Sequence, residues 1–521
     1  LFVLSDSALW KVKLSEMGNP LSWSKVAGSP SPPYFKMVGW DNKIFVLKKG
    51  NGGSPDTAFQ YVPQLQALTL LPLPVSRIYD IKVLRDTFYI AQDYGIAVLN
   101  SSYEKLTTIW RYEDEEKKTH TPEPDFILPL SLDSIWVADR KNGIVKVIKI
   151  WNTSLFRFYG TFYPDPTKVF SSNDSTVYFA GGGRTLQGWP LWREAHLYSM
   201  KSRKWKYYMY WDIPFLRSMD IRDIETILVW NRPDPVIAIF SYESGLILLD
   251  GNNNFFLYNH NNSPLETLPN STITGTALGG IDPRNNLWIV NEFSSSVFKV
   301  LQPDGRWISI NPGLNSPWGT VLSFLISRNG VVFAGSSKNG VMVYDPGNSL
   351  ESPADDHLAF IDMGTTSSQL PSNTIYSLAE DRNGNIWIGT ELGVAILPSD
   401  RSAFNPNQDI RKPVVNVNGY NQYLMEATLV KDIEVDGNNN KWIGTWGGGL
   451  FKVNQDGTAI LAQYNTSNSP LPSNNILDIA IIKGTGELVI STDRGVVVFR
   501  DTSAFPFENV SDIVVFPNPL F

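Results

Sequence analysis

Hydrophobic and polar positions along the chain fall into short blocks rather than helical stripes. In EDRNGNIWIGTELGVAIL, residues 380–397, a cluster of turn formers (Asp381, Asn383, Gly384, Asn385) precedes an apolar run from Ile386 to Gly389. Gly393 then marks a second turn before Val394 to Leu397. Asp, Asn and Gly tolerate the positive φ values of tight turns. A run without a polar side suits a strand covered on both faces. The phrase predicts a buried hairpin.

The phrase recurs. Aligned on Trp387, the equivalent positions are Phe2, Phe45, Tyr89, Trp136, Tyr178, Ala238 (a weak match), Trp288, Phe333, Trp442 and Val489, spaced by roughly 42 to 60 residues. That period has room for four short strands and is close to that of propeller blades. One four-stranded sheet leaves two apolar faces open, and packing sheets face to face around an axis covers both. The fold class predicted is all-β: two β-propellers built from four-stranded blades of about 45 residues, because eleven units exceed the four to eight of one ring. The low-similarity stretch 255–275 is the expected passage between rings, giving one propeller region over 1–270 and a second over 271–510. The rings of Trp136, Trp288, Trp387 and Trp442 are expected between sheets.

Composition narrows the chemistry. The 521 residues include no cysteine, which removes thiol nucleophiles, disulfides and Cys-based zinc sites. A net charge of −7 argues against non-specific nucleic-acid binding. No apolar run approaches the ~18 to 20 residues of a helical membrane span. The charge run EDEEKK at 113–118 reads as a solvated loop tip. The chain opens inside an apolar run, LFVLSDSALWKV, so the protein is expected to begin upstream of residue 1.

NGNIWIGTELGVAIL and DGNNNKWIGTWGGGLFKV resemble the two-component-regulator type of propeller repeat of Bacteroidetes. From Val435 onward, DGNNNKWIGTWGGGLFKVNQDG, YNTSNSPLPSNNILDIAI, GTGELVISTDRGVVVF and VVFPNPLF together resemble the end of the PorZ family of the type IX secretion system. The resemblance implies two seven-bladed propellers followed by a secretion-signal β-sandwich. Residues 511–521, with Phe516, Pro517, Asn518 and Pro519, match the start of that sandwich. About three N-terminal blades and the body of the sandwich are then missing from this chain. By the same resemblance the protein is exported to the outer-membrane surface, where it recognises anionic lipopolysaccharide and assists a PorU-type sortase in an outer-membrane attachment complex. No cofactor is implied.

The residues themselves offer little catalytic chemistry. His120, His196, His260 and His357 lie in separate units, and no HExxH, GxSxG or Walker sequence occurs. No enzymatic activity is expected. Asp250/Asn252/Asn254, Asp381/Asn383/Asn385 and Asp436/Asn438/Asn440 have oxygen spacing reminiscent of calcium loops, but they lack the downstream Glu and sit where hairpins need turns. The stretch 184–211 is the strongest candidate for a ligand surface. Its Trp189 and Trp192 offer flat faces to sugar rings, and Arg184, Arg193, Lys204 and Lys206 offer cations for phosphate or carboxylate. The plain alternative is an edge strand, KWKYYMYW, with Trp205, Tyr207, Met209 and Trp211 inward and Lys204 and Lys206 guarding the edge. A second functional reading is the periplasmic, oligosaccharide-sensing double propeller of a hybrid two-component system.

Overall fold

A computed structural model describes residues 1–500 apart from residues 6–7, 28–33, 41, 51–53, 76, 114–118, 132–133, 141, 149–151, 157–165, 203, 315–317, 365–368, 406 and 418. The PNP-containing end and residues 114–118 of the charge run lie outside the described residues. Sheets of three or four antiparallel strands follow one another along the chain, each strand pairing with its sequence neighbour. The described helical structure is confined to Pro214–Ser218 and a few 3-10 turns. No helix among the described residues is long and apolar enough to cross a membrane.

The chain divides into two compact units, residues 1–158 and 159–521. The first holds four successive blade sheets, with second strands or their equivalents at Phe2–Leu4, Lys43–Lys48, Thr87–Gln92 and Ser134–Asp139. Buried Asp80 ties three of them together: it accepts from the Ile127 amide at 3.1 Å and pairs with Lys36 at 3.3 Å.

The second unit is a closed ring of seven blades. Their first strands are Lys168–Ser171, Ile224–Trp230, Thr276–Ile281, Val321–Ile326, Ile375–Glu380, Val430–Val435 and Ile476–Ile481. Each packs on the next, and the seventh packs on the first. We number these blades 1 to 7. The expected boundary near 270 is therefore wrong. Phe255–Tyr258 is the outer strand of blade 2, and the stretch beyond it is a connection between neighbouring blades. Leu265 of that connection is buried in the cluster that joins blades 2 and 3. Its low similarity reflects a loop's freedom, not a change of ring.

Every aligned position from Phe45 onward lies on the second strand of its blade. Trp288, Trp387 and Trp442 are fully buried. Ala238, the weak match, shares its apolar cluster with Trp230, so a neighbouring strand supplies the bulk. Trp136 departs from expectation. It is only half-buried, because on its strand the alternate residues Ile135 and Val137 face the core while Lys146 covers the tryptophan at 5.6 Å.

The glycine two residues after Phe333, Trp387 and Trp442 has a packing reason. A Cβ on Gly335 would stand 2.6 Å from Ile375, one on Gly389 2.7 Å from Val430, and one on Gly444 2.6 Å from Ile476. In each case the next blade's first strand occupies the space a side chain would need. The Asp-x-Asn-x-Asn strings are turns. Asp381 accepts from the Asn383 and Asn385 amides at 2.9 and 3.0 Å and from the Trp387 indole at 3.1 Å, while buried Lys441 reaches it from blade 6 at 2.9 Å. Asp436 and Asp250 cap their own turns in the same way.

Two substitutions test this packing. Trp387→Ala should destabilise the ring by about 3–5 kcal/mol, as for a large core aromatic. Gly444→Val should cost about 1–3 kcal/mol by overpacking against Ile476. Both are read from chemical denaturation, and a near-neutral Gly444→Val would contradict the close approach.

Candidate functional site

The seven first strands enclose a channel cavity of about 220 Å³. Ile227, Leu278, Leu322 and Phe324 from blades 2 to 4 make one wall apolar, whereas Lys168, Ser377, Asp432, Glu434 and Asp478 make the other polar. The polar wall is also the seam of the ring. The Ser323 hydroxyl donates to the Ile375 carbonyl at 3.2 Å, and the Ile433 amide donates to Ser377 at 2.9 Å. Asp432 accepts from the Ile479 amide at 2.8 Å, and Asp478 accepts from the Val169 amide at 2.6 Å and from Lys168 at 2.7 Å. Blades 4, 5, 6, 7 and 1 are thus joined by side chains at one repeated position.

At one end of the channel, residues 181–195 of blade 1 form a long excursion between its second and third strands. Buried Asp223 holds both legs: it accepts from the amides of Gly183 at 3.2 Å, Trp192 at 2.7 Å and Arg193 at 3.2 Å. Between the legs the chain turns at Gly188 (φ +81°), whose carbonyl accepts from the Tyr242 hydroxyl at 2.7 Å.

The six candidate ligand residues are not gathered on one surface. Arg184 is buried, its side chain 4% exposed. Its guanidinium bonds Glu225, Glu292 (2.9 Å) and the Val321 carbonyl, and lies 5.0 Å from the Tyr242 ring centre. It is a cross-blade pin, so its expected role as a surface cation is corrected. Trp189 and Trp192 are 70% and 58% exposed on the outside of the same excursion. Arg193 beside them donates to the Gly181 carbonyl at 3.3 Å. Lys204 and Lys206 stand apart, on the outer strand Lys204–Met209, where Trp205, Tyr207 and Met209 pack inward. The edge-strand reading holds for these residues but fails for Trp211. That residue lies beyond the strand, 56% exposed, with its indole on Glu194 at 2.5 Å. Asp223 and Arg222, whose guanidinium donates to the Trp192 carbonyl at 3.0 Å, are further residues of this site that the sequence pattern does not mark. Nothing in their local sequence sets them apart.

The histidines stay separate: His196 faces the Glu194 carbonyl, His260 faces Thr274, and His357 lies against Phe404. Among the described residues no three His, Cys, Asp or Glu side chains gather in a way that would hold a metal ion.

The two-component regulator propeller family matches residues 369–391, the approach to and core of the Trp387 hairpin. Along its whole length the chain superposes on PorZ, an essential bacterial surface component of the type-IX secretion system of Porphyromonas gingivalis. The TM-score is 0.65 at 19% identity, covering 100% of this chain and 75% of that one. The chain is PorZ-like in fold. A 95-residue stretch, 18% of the chain, is 32% identical to Histidine kinase P4 of Formosa agariphila, of which it spans only 7%. The extracellular domain of a hybrid two-component system from B. thetaiotaomicron is 16% identical with a TM-score of 0.28, covering 95% of this chain and 61% of that one.

Within this PorZ-like ring, burial dominates several carboxyl groups. It raises Glu225 to about 7 and raises Glu292 as well, both against the pull of Arg184. Burial, with Asp223 nearby, raises Glu243 to about 8, and burial raises Asp478 to about 7 despite Lys168. A carboxyl whose pKa is raised on folding stabilises the fold fully below its ordinary, unfolded value. That contribution is lost as pH climbs through the folded value. The melting temperature should therefore fall between pH 6 and pH 8, by roughly 3–6 °C. Scanning calorimetry at the two pH values checks this, and a rise would contradict the burial of these groups.

Proposed function

We propose that the protein is a non-enzymatic, exported component of the type IX secretion machinery at the outer-membrane surface. In this reading it recognises the anionic part of lipopolysaccharide and assists a PorU-type sortase in attaching cargo. The observation that carries it is the superposition on PorZ over the whole chain, supported by the resemblance of residues 435 onward to the end of that family. Of the candidate contacts, Trp189 and Trp192 have the exposure a sugar ring needs, with Arg193 adjacent in sequence. Lys204 and Lys206 are the secondary cations, on an outer edge.

The test is titration of purified lipopolysaccharide, with and without its anionic polymer, against the wild-type protein and a Trp189→Ala/Trp192→Ala/Arg193→Ala variant. The variant should bind about tenfold more weakly. Added salt should weaken wild-type binding, because exposed cation–anion pairs are screened. Equal binding by both proteins would remove this surface from the reading, and no binding by the wild type would remove the glycan role. A second reading, an oligosaccharide sensor of a two-component system, draws on the 95-residue identity to Histidine kinase P4. A neutral oligosaccharide bound in preference to the anionic polymer would favour it.

The non-enzymatic part is tested separately. Neither a glycan panel nor a peptide panel should be turned over by the purified protein. Turnover abolished by a single substitution in this chain would overturn it.

A further inference from the structure

We infer that residues 181–195 are a lid over one end of the seven-bladed ring's channel, and that Arg184 is the latch holding it shut. The segment leaves blade 1, and Arg184 reaches Glu225 at the start of blade 2's first strand and the Val321 carbonyl at the start of blade 4's. It thereby spans the ring's end. The next residues down those two strands, Thr226 and Leu322, already line the channel cavity.

Two features make this a releasable cover rather than a fixed part of the core. First, its large apolar residues face away from the ring: Leu186, Trp189, Leu191 and Trp192 are all exposed. Burial of apolar surface, the usual adhesive of a packed segment, therefore contributes little here. Second, beyond the main-chain ties of its legs and tip to Asp223 and Tyr242, the segment's side-chain hold on blades 2 to 4 is a buried ionic clamp that is incompletely satisfied. Arg184 Nε and Glu225 Oε1 are buried with no hydrogen-bond partner among the described residues. Desolvating three charged groups offsets much of their mutual attraction, so such a clamp adds little net stability. Opening returns Arg184, Glu225 and Glu292 to water and recovers that cost. The closed and open states then lie near enough in free energy for a ligand or partner to shift the population. This holds whether or not a glycan binds the exposed tryptophans.

The absence of cysteine from the sequence makes the lid testable with a single introduced thiol. Thr226 Oγ1 is buried beneath the clamp, so Thr226→Cys places a near-isosteric thiol there. Leu378→Cys, further along the channel, is the control. Maleimide labelling of Thr226→Cys should be ~10-fold faster when combined with Arg184→Met, while Leu378→Cys labels at the same rate in either background. If Arg184→Met does not give a cooperatively folded protein, Glu225→Gln, which removes one clamp charge and keeps its shape, is read by the same criterion. Equal rates at Thr226→Cys would overturn the lid. Acceleration at both positions would overturn it too, because the ring as a whole would then have loosened.

Discussion

The ring stands on the meeting of its last blade with its first. Each sheet of a propeller borrows the cover for one face from its neighbour, so a single open junction would leave two apolar faces wet. Here that junction is made by Asp478, whose two carboxylate oxygens take the Lys168 ammonium and the Val169 amide. Around this contact, Val169, Val177, Phe179, Tyr198 and Met200 of blade 1 pack against Ala480, Ile482 and Val489 of blade 7. The acid fixes the register, and the apolar contact supplies most of the free energy.

The same position is used with graded chemistry around the ring. Ser323, Ser377, Asp432 and Asp478 each bond the main chain of the following blade. Blades 2 and 3 carry Thr226 and Leu278 after the corresponding strand irregularity. Near that arc the Arg184 clamp joins Glu225, Glu292 and Val321 from above. One wall of the channel is therefore seamed from within, and the other is apolar and bridged at its end.

Much of the fold was legible because its cause is local. A tryptophan that needs burial, a glycine that must admit the next strand, and an aspartate that caps its own turn all lie within about ten residues of one another. The repeat therefore survives even where Ala238 stands in the tryptophan's place. The ring boundary was not legible. A loop between blades and a linker between rings have the same polar composition, and the deciding contact joins residues 310 apart in the chain. Arg184 was misread for the same reason. Its neighbours in sequence are those of a surface loop, but its partners lie 41, 108 and 137 residues downstream. Local composition reports that a cation is present and not whether it is solvated.

The seam between blades 7 and 1 also sets a clock. A chain that emerges from its N-terminal end makes blade 1 more than 300 residues before the strand that will cover it. Until then Val169, Phe179 and Tyr198 have no partner sheet, and neighbouring pairs of blades can form while the ring as a whole cannot. Contacts of such long sequence separation form late and slowly, and open sheet edges in the interval invite pairing with other chains. Maturation of this ring thus depends on delivery of the strands over residues 476–500, and a chain interrupted before Asp478 would hold six blades around an unsealed gap.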